Sequence, residues 1–561
     1  MKFIFFFTII YFSYHPPFLS ACPPDQKKSN SNAIEEINLL LDEKKQNIQS
    51  AAPSKPSPWS TDKRSHILVL GGGYSPSGNQ VSLESNVKYF RKIRSKIGLG
   101  EASMHTYFAD GKEKGRDLQF YDPDFAVPQV NLILAELFGK TKGISNQYRS
   151  NKLLPDGTAS IPNLDKWLSQ RKKSDLIQKN IIYFTGHGGK GDSKNPHNTT
   201  AYLWSNSRLK VNELVKKLDE LPLKQSTILV MVQCYSGGFA NILFQDGDPK
   251  KGVSKHARAG FFSTVQNRVA AGCTPDIREE NYQEYSTSFW EALSGQTRTG
   301  STIIKPDYNA DGKTSLIEAH SYVSIHSNTI DIPIKTSDIL LRKYLPDEFK
   351  KKEPGKKVSD LIEKYLPKVL NKNTSDEQSL DPDTLSKSTL FKLANHEQRA
   401  VFLGLSKILG LKQEIPVIEI KELQEKLKKE REGIQKEKKK ALDQKNKYRD
   451  ELRKKLLAEH PEISNPYHPR TTQLLLINNK QKILDIVHNN NTWEKLVQQK
   501  EKSEKYESER FVIEKKEVKT MRLHRCIENI ILTKTLERKG TVEENKNYSR
   551  LLTLERTIFV Q

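Results

Sequence analysis

Over the first 330 residues, short apolar runs alternate with stretches of helical spacing; beyond them the pattern breaks up. Ile67-Leu68-Val69-Leu70, Ile181-Ile182-Tyr183-Phe184 and Ile228-Leu229-Val230-Met231-Val232 are continuous and largely β-branched. Runs of that length without polar alternation suit strands buried on both faces of a sheet. His66–Leu70 is predicted as the first strand and Met104–Phe108 as the second. The blocks at 180–189 and 227–239 supply two more, and Arg268–Cys273 is predicted as a fifth. Between them, Val81, Val87, Phe90, Ile93 and Ile97 recur at helical spacing over Gln80–Ile97. Helices are also predicted at Asn163–Ile177, Leu209–Leu221 and Ser286–Leu293. Residues 109–160 are rich in Gly, Pro and Asp and predict a long loop with one helix near Val130–Leu137. Strands alternating with helices predict an α/β fold, a mostly parallel sheet between two helical layers.

The flanks differ. Lys2 and the apolar, aromatic run Phe3–Tyr14 are too short to span a membrane and suit a secretory signal. Residues 22–62 are polar, with five prolines, and predict a tether carrying a short helix at Ala33–Gln46. Residues 331–410 hold short amphipathic pieces and linkers. From Ile418 to His460 more than half the residues are charged and Leu and Ile are sparse, which predicts a long exposed helix or helical hairpin ending before Pro461. The division expected is therefore 1–21 signal, 22–62 tether, 63–330 globular domain, 331–410 linker, 411–460 charged helix and 461–561 helical tail.

At 561 residues the chain has ample length for several domains and a sizeable core. Its net charge of +23 favours acidic partners, but the excess is spread along Lys/Glu-mixed segments and suits solvated helices. Basic stripes interleaved with aromatics are absent, so no specific nucleic-acid binding is expected. Four cysteines, Cys22, Cys234, Cys273 and Cys526, do not make a disulfide framework. Gly186-His187-Gly188-Gly189 lacks the G-x-S-x-G elbow of an esterase, and Gly71-Gly72-Gly73 fails the dinucleotide pattern because Pro76 stands at the last glycine. There is no G-x-x-x-x-G-K-[ST] phosphate-binding loop, zinc H-E-x-x-H or paired C-x-x-C.

What remains is a histidine and a cysteine, each just past an apolar strand. That is where open α/β sheets place their sites. Forty-seven residues separate His187 from Cys234, room for one crossover helix between parallel strands. A thiol becomes a strong nucleophile when a neighbouring imidazole takes its proton, and glycines let backbone N–H groups approach an oxyanion. Thr185-Gly186-His187-Gly188 followed by Gln233-Cys234-Tyr235-Ser236-Gly237 resembles the caspase-like clan of cysteine peptidases, and within it the legumain family. Ile67–Ser75 resembles that family's first strand and loop. The resemblance covers roughly residues 63–330. It implies a caspase-like α/β/α sandwich, Cys234 as nucleophile, His187 as base, and an oxyanion hole from the N–H groups of Gly188 and Cys234. It implies a protein or peptide substrate and no catalytic cofactor. The family's His-orienting Asn aligns with Pro76 here and its substrate-gripping Arg with Gly78, while Gln233 stands where the family places Glu. Gln233, Cys273, Thr274 and Asp276 are the candidates for the substrate pocket, and an Asp there would favour a basic residue before the scissile bond.

Two further motifs stand apart. Leu19-Ser20-Ala21-Cys22 resembles a bacterial lipoprotein box, which implies lipidation of Cys22 and an exported protein held at the cell envelope by a membrane anchor. The run from Asp307 to Glu318 fits the calcium-loop pattern D-x-N-x-D-G-x₅-E, with oxygen ligands expected from Asp307, Asn309, Asp311, the Lys313 carbonyl, Ser315 and Glu318. Calcium there would be a structural ion; the alternative is a metal-free turn capping the helix that starts near Ser315. The whole also admits two other readings: a scaffold or adhesin with little catalysis, or an enzyme that cuts itself at 241–260 or 331–410.

Overall fold

The computed structural model describes residues 64–344 (apart from 175 and 177), 385–476, 480–489 and 491–559. The signal, the tether and Cys22 lie outside the described residues, as does the 345–384 part of the linker. In chain order the strands are β1 (Ser65–Gly72), β2 (Ser103–Phe108), β3 (Leu118–Tyr121), β4 (Asn146–Arg149), β5 (Lys179–Gly186), β6 (Gly188–Gly189), β7 (Thr200–Leu203), β8 (Ser207–Lys210), β9 (Ser226–Met231), β10 (Ala257–Phe262) and β11 (Ile334–Lys335). Six form the central sheet in the order β11-β10-β9-β5-β1-β2, parallel throughout except for β11 at the edge.

The alternation of side chains across each strand divides the core in two. Ile67, Val69, Ile181, Tyr183, Ile228 and Val230 face one layer, with the helices Val81–Ile93, Tyr285–Ser294 and Leu316–His326 packed over them. Leu68, Leu70, Ile182, Phe184, Leu229 and Met231 face the other, under Ile161–Lys172, Val211–Asp219 and the 3₁₀ segment Ser236–Leu243. An unpartnered polar side chain is costly on either face of such strands, so the middles of β1, β5 and β9 read as apolar runs. The sheet is mainly parallel and the region after it helical, as the sequence predicts.

One predicted strand is corrected. Arg268–Cys273 is a loop, and the strand beside β9 is β10, Ala-Arg-Ala-Gly-Phe-Phe. The N–H groups of Ala270 and Ala271 go to the Cys234 sulfur and the Asp331 carboxylate rather than to a ladder. β10 escaped notice because Ala and Gly carry little strand propensity. Two further antiparallel ladders are not predicted: β3/β4 lies in the stretch read as loop, and β6–β8 in 188–210.

The chain divides into two compact units. One holds 122–145 and 433–511; the other holds the sheet together with 385–432 and 512–559. The long charged helix is present as Pro416–Glu459, and Thr492–Lys539 is a second. Residues 512–559 belong to the unit that holds the sheet. Val518 belongs to the same core as Leu68, Ile182 and Leu229, and Leu532, Leu536, Leu551 and Leu554 pack with Ala257 and Ala259 of β10. In the first unit, Leu452, Leu456 and Leu496 share a core with Val130, Ile133 and Leu137. No helix among the described residues is long and apolar enough to cross a membrane.

Candidate active site

β5 and β9 run parallel with Phe184 paired to Met231. His187 and Cys234 each lie three residues beyond that pair, so both emerge at the same edge of the sheet from neighbouring strands. Their backbones are also close. A Cβ on Gly188 would lie 2.1 Å from the Cys234 carbonyl oxygen and 2.5 Å from Gln233 Cγ. Only glycine allows the chain after His187 to pass so near the chain at Cys234. The Tyr202 N–H donates to the His187 carbonyl at 2.9 Å. This bond carries the β6/β7 register, Gly188 to Ala201 and Gly189 to Thr200, back to His187.

The imidazole is held through Nε2. His187 Nε2 lies 2.8 Å from the Gly78 carbonyl and 2.9 Å from Gln80 Oε1. A carbonyl can only accept, so Nε2 carries the proton and Nδ1 keeps a free lone pair. The edge of Tyr74 packs on the ring at 5.3 Å between centroids. Burial depresses the imidazole pKa below 6.5, partly offset by the bond to Gly78, so the ring is neutral at neutral pH.

Cys234 is half-buried and reduced. Its sulfur accepts the Ala270 N–H at 3.3 Å. Burial raises the thiol pKa above 9, the Ala270 N–H opposes that rise, and the Asp331 carboxylate adds to it. The thiol is therefore protonated at rest. Tyr235 follows in a left-handed conformation (φ 61°) and donates its N–H to the Arg268 carbonyl at 2.8 Å, which turns the chain sharply after the sulfur. Beyond it there is no room for side chains at 237 or 238: a Cβ would stand 2.6 Å from the Thr264 carbonyl or 2.2 Å from Thr199 Oγ1.

The other pocket candidates fall in several places. Cys273 is left-handed (φ 56°), with its sulfur 3.7 Å from the Gly186 carbonyl, just before His187. Burial pushes its thiol far above the usual range. Thr274 accepts the Ser82 N–H on its carbonyl at 3.3 Å and donates its own N–H to the Ser82 hydroxyl at 2.9 Å, at the start of the first helix. Gln233 is buried and its amide finds no partner. Asp276 does not offer a free charge. It is fully buried, and its carboxylate takes Arg278 at 2.8 Å and Asn281 at 2.7 Å, so it serves its own loop. The sequence marks Gly78 only as the place of the family's Arg and does not single out Gln80 or Ala270, yet all three touch His187 or Cys234 through polar atoms. The only sign that the first two hold the ring was a short polar stretch between a strand and a helix.

The 307–318 loop is tied to itself. Asp307 accepts the N–H groups of Asp311 and Gly312, Asn309 that of Asp311, and Asp311 that of Lys313. Glu318 takes Tyr308 N–H at 2.7 Å, Asn309 N–H at 3.3 Å, and Ser315 through both N–H and hydroxyl at 2.8 and 2.7 Å. Burial pushes this carboxyl up, to about 7, against four donors that favour the anion. With Ser315 it makes a capping box on Leu316–His326. The oxygen-only donor set suits a hard cation, but among the described residues no three acidic, His or Cys side chains converge as a metal-holding group.

No protein-family model and no curated protein matches the chain. Among solved structures it is similar to a caspase-1 from Spodoptera frugiperda, over 52% of this chain and 93% of that one, at 9% identity and a TM-score of 0.28. It is also similar to a structural-genomics target protein from Geobacter sulfurreducens, over 46% and 88%, at 10% identity and a TM-score of 0.24. Likenesses this slight say nothing about activity.

Proposed function

We propose that the chain is a cysteine endopeptidase of the caspase-like clan, nearest in its motifs to the legumain family. The observation that carries this reading is the emergence of His187 and Cys234 at adjacent parallel strand tips, with His187 Nε2 fixed on the Gly78 carbonyl and Nδ1 left as the basic atom. The Cys234 thiol gives its proton to His187 Nδ1 as sulfur attacks the substrate carbonyl. The tetrahedral oxyanion is met by the N–H groups of Gly188 and Cys234. His187 then protonates the leaving amine, and water or a second amine releases the acyl group. Where the family uses a side-chain amide to orient its histidine, this chain uses the Gly78 carbonyl, with Gln80 beside it. Gly78 cannot grip a polar substrate side chain as the family's Arg does, so preference for Asn does not follow.

Replacing Cys234 by Ser or His187 by Ala should abolish cleavage of a peptide library while leaving circular dichroism unchanged. Turnover that survives either change refutes the assignment. We propose further, from the N-terminal pattern alone, that the protein is exported and anchored through Cys22. Incorporation of a labelled fatty acid in the parent and not in Cys22→Ser tests that separately.

A further inference from the structure

The loop that carries the histidine's acceptor is held by one buried amide. Asn79 is wholly buried. Its Oδ1 accepts the Gly73 N–H at 3.1 Å, and its Nδ2 donates to Asp117 Oδ2 at 3.0 Å. Its own carbonyl accepts the Gln119 N–H at 2.7 Å. One side chain thus ties together the end of the first strand, the loop 73–79 and the β3 hairpin. The two limbs of the loop touch: a Cβ on Gly73 would stand 2.3 Å from the Gly78 carbonyl oxygen and 2.4 Å from the Asn79 nitrogen. That carbonyl is the one His187 Nε2 binds.

We propose that Asn79 is a positioning residue for His187, clamped between the Gly73 N–H and the Asp117 carboxylate so that the Gly78 carbonyl stays against the imidazole. This rests on the peptidase reading for its consequence, though not for its geometry. The clamp needs a donor and an acceptor on the same short side chain, which an amide supplies and a carboxylate does not. Asp117 is the complementary half. It is buried beside Asp110. Burial raises both groups, Asp110 to about 6 with the neighbouring Asp117 and Glu113 charges adding to it. The Asn79 amide is therefore the donor that lets a carboxylate sit at 117. Exchanging the two side chains keeps one donor facing one acceptor, whereas two carboxylates facing each other do not.

The test is that exchange. In ¹⁵N-edited spectra of the full chain, neutral His187 should carry its proton on Nε2. Asn79→Asp should populate both tautomers and lower peptide turnover by about 10- to 100-fold, the scale of a misplaced catalytic group. Asp117→Asn alone keeps an acceptor for Asn79 and should leave the tautomer unchanged. The double variant Asn79→Asp/Asp117→Asn should restore both the tautomer and most of the turnover. A folded Asn79→Asp protein with the parent tautomer overturns the proposal. So does a folded double variant in which His187 is mixed; should Asn79→Asp fail to fold, the double variant decides by itself. The tautomer does not depend on turnover, so failure of the peptidase assignment would appear as cleavage surviving in Cys234→Ser, with the exchange result standing.

Discussion

Gly188 offers the sharpest perturbation of the site, because its neighbour provides an internal control. In Gly188→Ala the new methyl would meet the Cys234 carbonyl oxygen at 2.1 Å and Gln233 Cγ at 2.5 Å. Ordinary contact needs roughly 3.3 Å or more, so the two strand tips must separate by about 1 Å. The obstacle is backbone on a buried strand end, and it cannot rotate away. A displacement of that size between reacting groups costs about 100-fold in rate, or about 2.7 kcal/mol of transition-state stabilisation. Gly189→Ala also crowds, but against the Tyr202 hydroxyl at 2.4 Å, the far end of a side chain that can swing. The expected result is a loss of about two decades in kcat/KM for Gly188→Ala and less than one for Gly189→Ala, with thermal midpoints measured alongside. Equal losses in the two, or parent turnover in Gly188→Ala, would show that the closeness of these strand ends does not govern the chemistry.

Three other outcomes follow from the electrostatics and the loop. His187 must be neutral to accept a proton, and burial sets its pKa below 6.5, so kcat/KM should rise with pH along a limb centred below 6.5 and be flat at 7. A limb centred above 6.5 contradicts the buried, Gly78-bound ring. Because the Cys234 thiol lies above 9, alkylation by iodoacetamide should be about 100-fold slower at pH 7 than at pH 9, with Cys234→Ser marking the background; a rate independent of pH over that range would reveal a preformed thiolate. Calcium binding at the 307–318 loop, proposed from the motif, requires Glu318 to release its four donors, which places affinity at the weak end, roughly 10⁻⁴ to 10⁻³ M. Equilibrium dialysis that finds no bound calcium at several millimolar eliminates it.

The parts of this protein that were legible share a cause. β1, β5 and β9 are buried on both faces, so their composition alone betrays them, and the residues just past their ends follow at once. The parts that were not legible depend on partners distant in sequence. β10 is made of Ala, Arg, Gly and Phe and becomes a strand through its place between β9 and β11. The N–H groups of 270 and 271 look like ladder donors until the sulfur and Asp331 claim them. Asp276 reads as a pocket charge until Arg278 and Asn281 close on it. The C-terminal helices read as solvated because their few apolar residues are diluted by Lys and Glu, yet Arg522 is buried there and donates to the carbonyls of Ser324, Ser327, Thr329 and Asp331. A guanidinium with five donors can close the end of Leu316–His326 in this way, and no periodicity along its own helix announces it.

That buried arginine bears on the site as well. The Asp331 carbonyl it holds belongs to the residue whose carboxylate accepts the Ala271 N–H, and the adjacent Ala270 N–H is on the Cys234 sulfur. The Arg268 carbonyl in the same loop takes the Tyr235 N–H, and the Arg268 side chain reaches Glu514 at 3.5 Å. The loop beneath the thiol is therefore fixed from three sides: the strand end at 235, Asp331, and the helix Thr492–Lys539. His187 is fixed independently, through 78–80 and the β6/β7 hairpin. Two neutral partners, each oriented by its own set of backbone bonds, need no ion pair to hold them in register. On the peptidase reading proposed above, the proton moves as the sulfur attacks a substrate carbonyl, which would confine the reactive thiolate to the moment of catalysis.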